Sequence, residues 1–298
     1  MKNSHILLID GMALLFRGFY ATSVYGNYMY NNQNTPTNAV YGMLKHFLKA
    51  VEAFRPSHII CCWDMGSTTF RTSLYPDYKA NRSDPPEELI PQFDMAKEAM
   101  TAFDVPNIGV PWFEADDCIG TIAGQADPSS KVTVLTGDQD LLQLITPNVD
   151  IAVMKKGQGH YTVFNENNIM EEKGYCPGRV VEMKALMGDT TDNYPGVKGI
   201  GEKTALKLLN EYGSLDSLLE QMDKLPKGIK NKIETHMDML HLSRHLAAIR
   251  RDAPVKYNEN EALWTADKEH VFHVLRQMGI HLSIDTAFQT DEESRVEQ

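Results

Sequence analysis

Cysteine is scarce in this chain, and no long apolar run is present. Four of the 298 residues are cysteines: Cys61, Cys62, Cys118 and Cys176. None forms a CxxC pair, which excludes a zinc ribbon and a thioredoxin-like redox motif. All four read as reduced core thiols of a cytoplasmic protein. The N-terminus has one early lysine and a short apolar stretch that stops at Asp10, so it does not read as a signal peptide. No segment is long enough to span a membrane. Positive charge is also short: 29 Lys and Arg against 40 Asp and Glu leave a net charge of −11. Taken alone, that argues against a nucleic-acid partner. The argument fails if many carboxylates share one cavity, because bound cations then neutralise them locally. Internal repeats and low-complexity stretches are absent as well. A hydrophobic content of 42% and a charged content of 23% suit a soluble globular enzyme. The length allows one large domain or two smaller ones.

Three apolar stretches each run into an aspartate. They are residues 5–10 (HILLID), 58–64 (HIICCWD) and 131–138 (KVTVLTGD). Between them lie helical patterns: Met12, Leu15, Phe16 and Phe19 within 11–21, and an amphipathic stretch over 41–54 that closes at Arg55-Pro56. Apolar strands alternating with helices predict an α/β fold, a central mostly parallel sheet covered by helices on both faces. Ligands of such sheets bind beyond the carboxyl ends of the strands, where Asp10, Asp64 and Asp138 emerge. One strand-end aspartate is usually a turn residue. Three of them, with Asp140 two residues further on, are poorly explained by turns.

The run Glu114-Ala115-Asp116-Asp117 precedes Ile119, Ile122, Ala123 and Ala126, the apolar stripe of an amphipathic helix. Carboxylates at a helix entrance are favoured by the helix dipole and often only cap it. Asp116, however, leans toward the buried side, where a carboxylate needs a cation. Capping and metal binding both remain open on this run alone.

Residues 68–84 (TTFRTSLYPDYKANRSD) place Arg71, Lys79 and Arg82 among Phe70, Tyr75 and Tyr78. This composition suits either a solvated surface insertion or contact with a single-stranded nucleic acid. The segment leaves the sheet at Asp64 and returns at Glu114, so it is expected to overhang the acidic edge. Residues 87–103 read as helical, with Leu89, Phe93, Ala96 and Met100 on one face. Beyond Thr146 come a hairpin or edge strand over 151–164, a helix over 176–187 and the acidic stretch GDTTDNYP from Gly188. Next is GVKGIG, residues 196–201, before a helix over 202–212. Glycines before a helix leave backbone N–H groups free for a phosphate, and Lys198, Lys203 and Lys207 add charge there. Further helices are expected over 215–251 and 269–279, and the acidic tail, 291–298, is expected to be disordered. His5, His58 and His160 read as structural, and the stretch 237–242 as core packing.

Nine acidic residues thus converge: Asp10, Asp64, Glu114, Asp116, Asp117, Asp138, Asp140, Asp189 and Asp192. An all-oxygen set selects Mg²⁺ or Mn²⁺ over Zn²⁺. Two such ions are the usual machinery for phosphodiester hydrolysis.

The chain is identified as resembling the 5′-nuclease (flap endonuclease) family, in its bacterial type. The matching stretches are LLIDGMALLFRGFYA from Leu7, WDMGSTTFR and YPDYKANR from Trp63, EADDCIGTIA from Glu114, TGDQDLLQL from Thr136 and MGDTTDNYPGVKGIGEKTALKLL from Met187. The resemblance implies a PIN-like nuclease core over 1–175 with an arch insertion at about 68–112. A helical DNA-binding region of the helix–hairpin–helix type would follow over 176–290, its glycine hairpin at 196–201. It implies two Mg²⁺, replaceable by Mn²⁺. The first would lie mainly with Asp10, Asp64, Glu114, Asp116 and Asp117, and the second mainly with Asp138, Asp140, Asp189 and Asp192. By resemblance, Lys79 and Arg82 are the catalytic arch cations, and Arg71 and Tyr78 would hold a DNA backbone and stack on a base. Lys198, Gly199, Gly201 and Lys203 would bind duplex DNA, and K⁺ would sit on carbonyls around Val197 to Ile200. The expected substrate is DNA with a 5′ flap, a nick or an RNA-primed end, cut by a monomer in the bacterial cytoplasm, at the nucleoid. The chain reads as a free-standing relative of the nuclease domain of DNA polymerase I, with a fragment of such a polymerase as the alternative. A non-catalytic junction binder and a PIN-type ribonuclease are the competing readings. The first should lack second-site acids, and the second should lack the arch and the glycine hairpin.

Overall fold

The computed structural model describes residues 4–288, so the tail at 291–298 lies outside the described residues. The chain opens with β1 (His5–Asp10), α1 (Gly11–Thr22), α2 (Asn38–Phe54) and β2 (His58–Cys62). Then come α3 (Phe70–Leu74), α4 (Gln92–Ala102), β3 (Asn107–Ile108), α5 (Ala115–Gln125) and β4 (Lys131–Thr136). The hairpin strands β5 (Val149–Met154) and β6 (Tyr161–Phe164) follow. The remainder is helical: α6 (Ile169–Lys173), α7 (Arg179–Met187), α8 (Glu202–Tyr212), α9 (Leu215–Glu220), α10 (Lys227–Thr235), α11 (Met237–Ala247) and α12 (Lys268–Gln277).

The six strands lie in the order β3-β2-β1-β4-β5-β6. Every pairing is parallel except β5 with β6. The period of two divides each strand between two cores. Leu7, Ile9, Ile59 and Cys61 pack with α1 and α2. Ile6, Leu8, Ile60 and Cys62 pack with α5 on the opposite face. Covering both faces explains the nearly unbroken apolar strands. Strand order reverses between β1 and β4, the place where a crevice opens at the carboxyl edge of such a sheet.

Two boundaries differ from expectation. Residues 68–112 do not form one overhanging arch. Ala96, Ala99 and Met100 of α4 are fully buried against the α2 side of the sheet, together with Phe103. The overhang is confined to the turns between α3 and α4. An amphipathic pattern cannot tell a helix lying on a core from one lying on a neighbouring lobe, and here the core takes it. Likewise, the helices beyond residue 176 do not all share one core. The helices α7 to α11 share a core of their own, which includes Leu186, Val197, Ile200 and Leu240. By contrast, Val271 and Leu275 of α12 belong to the core of α1 and α2. Cys176 is exposed, unlike the buried Cys61, Cys62 and Cys118. Among the described residues, no helix is long and apolar enough to cross a membrane.

Candidate active site

A cleft of about 810 Å³ opens at the carboxyl edge of the sheet. Its walls carry Asp10, Asp64, Glu114, Asp116, Asp138, Asp140, Asp189 and Asp192, with Lys79, Arg82 and Lys184. The sheet supplies one wall. Asp10 ends β1 and caps α1: one oxygen accepts from the Ala13 N–H at 2.9 Å and the other from the Thr136 hydroxyl at 2.8 Å. Asp64 accepts from the Ala115 N–H, the first amide of α5, at 2.7 Å. Asp138 accepts from the Asp140 N–H at 2.8 Å, a local turn that aims both acids at the cleft.

The acidic run at the entrance of α5 divides its labour. Asp117 is fully buried, and its oxygens accept four hydrogen bonds. Two come from Arg71 at 2.8 Å each, one from the Glu114 N–H at 3.0 Å and one from the Arg250 N–H at 2.8 Å. A carboxylate has about four acceptor sites, so Asp117 has none left for a metal. It caps the helix and pairs with Arg71, which removes it from the expected ligand set. Asp116, one residue earlier, lines the cleft. Glu114 faces both ways. One oxygen accepts from Lys79 at 2.7 Å and the other from Arg71 at 3.1 Å, with the Tyr78 hydroxyl oxygen 3.2 Å away.

The expected DNA contacts Arg71 and Tyr78 are interior residues. Arg71 is 2% exposed and also donates to the Leu246 and Ala248 carbonyls, tying α3, α5 and the exit of α11 together. It is a structural clamp, because every direction of its guanidinium is taken by protein. Tyr78 is 4% exposed, stacks on Tyr194 and donates to Asp192 at 2.9 Å, so its ring is closed to a base. Of the aromatics of residues 68–84, Tyr78 is buried while Phe70 and Tyr75 are half-buried, and in this segment Lys79 and Arg82 alone face the cleft. Lys79 adopts a left-handed φ of 57°. Its N–H donates to the Asp192 carbonyl at 2.9 Å, and Arg82 donates to the Asp192 carboxylate at 2.6 Å.

The helical region supplies the second wall. After α7, Gly188 and Gly196 touch: a Cβ on Gly196 would lie 2.3 Å from the Gly188 nitrogen. That approach closes the loop that presents Asp189 and Asp192. Oxygens of Asp140, Asp189 and Asp192 lie within 4.8 Å of one another. Lys184 stands between Asp140 and Asp189, bonded to both. This lysine was missed at the level of sequence. It lies on the apolar stripe of its helix with Val180 and Met187, at i−4 and i+3, where only a carboxylate partner makes a lysine tolerable.

Burial and like charge act together here. Burial pushes Asp10 up to about 6, with Asp64 and Asp138 adding to it. Burial and then Asp10 and Asp138 push Asp116 well up. Asp140 is pushed to about 7 by burial and Asp138. Asp189 goes the other way. Burial is the largest single influence and opposes its charge, but the hydrogen bond and charge of Lys184, together with the Thr191 and Asp192 N–H groups, outweigh it and hold it below the usual carboxylate range. Such crowding of oxygen donors, short of protein cations, fits hard divalent ions.

At the glycine hairpin, Lys198 and Lys203 are exposed, and Gly201 opens α8 with no side-chain cap. Gly199 has φ 83°, and its carbonyl accepts from Lys232 at 2.8 Å. The Val197 carbonyl accepts from the Ile200 N–H at 3.0 Å. An ammonium therefore stands where K⁺ was expected. The three histidines are structural: His5 bonds Thr133 at 2.9 Å, His58 bonds Ser57 at 2.9 Å and His160 bonds the Lys156 carbonyl at 3.2 Å.

A resolvase-like α/β core with an acidic cleft at its switch point, joined to a helical module, is the architecture of the 5′-nuclease class. The fold is that of T5 5′-exonuclease with zinc bound: TM-score 0.64 at 19% identity, covering 95% of this chain and 99% of that one. Flap endonuclease-1 from Methanococcus jannaschii matches with TM-score 0.62 at 16% identity, over 96% and 90%. The family model of the 5′-3′ exonuclease N-terminal, resolvase-like domain matches residues 5–174, and that of its C-terminal SAM fold matches residues 175–270. The chain belongs to the 5′-3′ exonuclease and flap endonuclease family of nucleases. The 5′-3′ exonuclease of Bacillus subtilis (strain 168) is 52% identical over 277 residues, 93% of this chain and 94% of that protein. DNA polymerase I of Bacillus caldotenax is 37% identical over 278 residues, 92% of this chain and 31% of the polymerase. The chain thus spans about a third of the polymerase relative.

Proposed function

We propose that this nuclease is Mg²⁺-dependent and hydrolyses phosphodiester bonds of DNA at 5′ flaps, nicks and RNA-primed ends, leaving 5′-phosphates, in primer removal and repair. The observation that carries this reading is the convergence of eight cleft-facing carboxylates with Lys79 and Arg82 at one edge. Asp10, Asp64, Glu114 and Asp116 would hold one ion, and Asp138, Asp140, Asp189 and Asp192 the other. Mn²⁺ would serve in the same oxygen set. When bound, these ions supply Lewis acidity and lower the pKa of water near the phosphate. The chain's own cations do the rest. Lys79 and Arg82 rest on Glu114 and Asp192, and a phosphate entering the cleft offers both a better-placed anion. Moving onto it, they would orient the scissile group and offset its developing charge. Lys198, Lys203 and the N–H groups of Gly199 and Gly201 would take the duplex backbone. K⁺ on the Val197 to Ile200 carbonyls would require Lys232 to swing off Gly199. The cleft is complete within one chain, so the enzyme would act as a monomer, in the cytoplasm at the nucleoid.

The test is cleavage of a labelled 5′-flap duplex with Mg²⁺ or Mn²⁺. Asp116→Ala should abolish cutting while flap binding in Ca²⁺ survives. A wild-type chain that cuts no flapped, nicked or RNA-primed duplex with either ion ends this reading.

A further inference from the structure

One tyrosine behind the cleft carries a hydroxyl that the fold leaves unused. Among the described residues, the Tyr161, Tyr194 and Tyr257 hydroxyls are enclosed yet have no hydrogen-bond partner. Tyr161 and Tyr257 are half-buried, whereas Tyr194 is 3% exposed. A hydroxyl taken out of water without a partner costs free energy that a phenylalanine of the same shape avoids. Such an exception in a packed interior points to a completing group, a water, an ion or a neighbour that moves.

The surroundings of Tyr194 say which. Asp189 and Tyr194 exchange both backbone hydrogen bonds, at 2.8 and 3.0 Å. Residues paired in that way send their side chains to the same face of the ladder. The Tyr194 ring lies 6.3 Å from that of Tyr78 at an interplanar angle of 20°, and the Tyr78 hydroxyl donates to Asp192 at 2.9 Å. One hydroxyl of the stacked pair is used and the other is not. Burial pushes the Tyr194 phenol up, and Asp140, Asp189 and Asp192, in that order, push it further. Those are the three acids whose oxygens lie within 4.8 Å of one another. The hydroxyl is therefore a proton donor in the field of that whole group.

The three acids differ in what already holds them. Asp189 accepts from Lys184 and from the Thr191 and Asp192 N–H groups. Asp192 accepts from Tyr78 and Arg82. Among the described residues, the Asp140 carboxylate has Lys184 alone. An ion among these oxygens must displace that ammonium, and Asp140 then keeps no hydrogen bond of its own. A ligating carboxylate is normally held by a further hydrogen bond from outside the metal's own ligands. The donor without an acceptor thus stands beside the acceptor that is due to lose its donor.

We propose that Tyr194 is a positioning residue for the second ion. Its hydroxyl donates to the Asp140 carboxylate once the ion has taken the place of the Lys184 ammonium, and so fixes Asp140 as a ligand. This rests on the proposed two-ion reading of the cleft. A phenol carries no charge, so it orients Asp140 without competing with the ion as Lys184 does.

The test is Tyr194→Phe in the whole chain. Tyr161→Phe is the control, since it removes a partnerless hydroxyl outside the cleft. Without metal, Tyr194→Phe should melt at or above the wild-type temperature, because no bond is lost. In Mn²⁺ titrations read by the electron paramagnetic resonance of the free ion, one class of site should weaken by about tenfold and the other should stay as it was. Tyr161→Phe should leave both classes unchanged. In a Lys184→Met background the hydroxyl should hold Asp140 already without metal, so there Tyr194→Phe should lower Tm by about 2–4 °C. A Tyr194→Phe chain with both Mn²⁺ classes unchanged overturns the inference. So does a metal-free Tm that falls as far with Lys184 present as with Lys184→Met. A wild type with a single class of Mn²⁺ site overturns the two-ion reading itself, and this inference with it.

Discussion

The two walls of the cleft hold their carboxylates by different means. On the sheet wall, Asp10 and Asp64 are fixed by backbone N–H groups and a threonine hydroxyl. Lys79 reaches only Glu114 there. On the helical wall, Lys184 bonds Asp189 and reaches across to Asp140 of the sheet wall, and Arg82 pairs with Asp192. The first wall is rigid and under-compensated, so an incoming ion meets aligned oxygens that lack a counter-charge. The second is already partly neutralised, so an ion there must displace an ammonium. Under the proposed two-ion reading, the two metal positions would then differ in affinity, the sheet wall the tighter. Rigidity on that side comes from the Arg71–Asp117 clamp, which shares Glu114 with the cleft.

The largest expected effects separate the walls by activity. Asp116→Asn should lower cleavage by about 10³-fold, the several kcal/mol of charge stabilisation a divalent ion provides. Asp189→Asn should cost only about 10–100-fold. Equal losses in steady-state cleavage would break the comparison. Next in size is the clamp. Arg71→Met leaves Asp117 buried and unpaired, at a cost of about 3–5 kcal/mol. In a chain of this size that lowers Tm by roughly 6–20 °C. Arg82→Ala, on a side chain half exposed, should leave Tm within about 1–2 °C and reduce cleavage by about 10²-fold. Thermal melts with paired rate measurements separate a clamp from a substrate contact, and an Arg71→Met protein as stable as wild type would remove the clamp. Smaller again is the effect on ion affinity. Lys184→Met removes the resident charge, so calorimetry with Mn²⁺ should show the weaker class of site tightening by about tenfold, well within what one nearby unit charge can do. No change in that class would mean that the ammonium does not compete.

Much of this arrangement was legible in the residues, and the misreadings share a cause. The strands declared themselves because both faces are buried, and their terminal aspartates marked the edge without any knowledge of the loops. The helix after Glu114 showed its apolar stripe. A stripe does not say which neighbour of a pair turns inward, however. Asp116 and Asp117 look alike in sequence, yet one lines the cleft and the other is spent on Arg71 and two backbone amides. Arg71 and Tyr78 stood among basic and aromatic residues that suggested a nucleic-acid surface. Their partners, Asp117, Asp192, Leu246 and Ala248, are remote in sequence, so local composition could not show them inside. Lys184 was hidden for the opposite reason: a lysine in an ordinary helix draws no notice until its carboxylates arrive from two other segments.

The gentlest probe of the comparison is pH. Asp10 is raised to about 6 and Asp140 to about 7, and Asp116 is raised with them. In the unfolded chain such groups titrate near 3.9. Between these values the metal-free native state binds more protons than the unfolded state, so these groups favour folding at low pH. Their contribution is fully present below about pH 4 and is lost as pH rises through 6 to 7. Divalent ions replace those protons, so metal uptake should release protons and strengthen as pH rises. Added Mg²⁺ should then raise Tm more at pH 8 than at pH 5.5, by on the order of 5 °C. Asp189 titrates the other way, since Lys184 holds it low and its contribution is lost only in acid. The gain in Tm should therefore persist in Asp189→Asn and shrink in Asp10→Asn, where the raised group is gone. A gain that is independent of pH, or one that vanishes with Asp189 rather than Asp10, would place the dominant ion on the helical wall and reverse the order of the two sites.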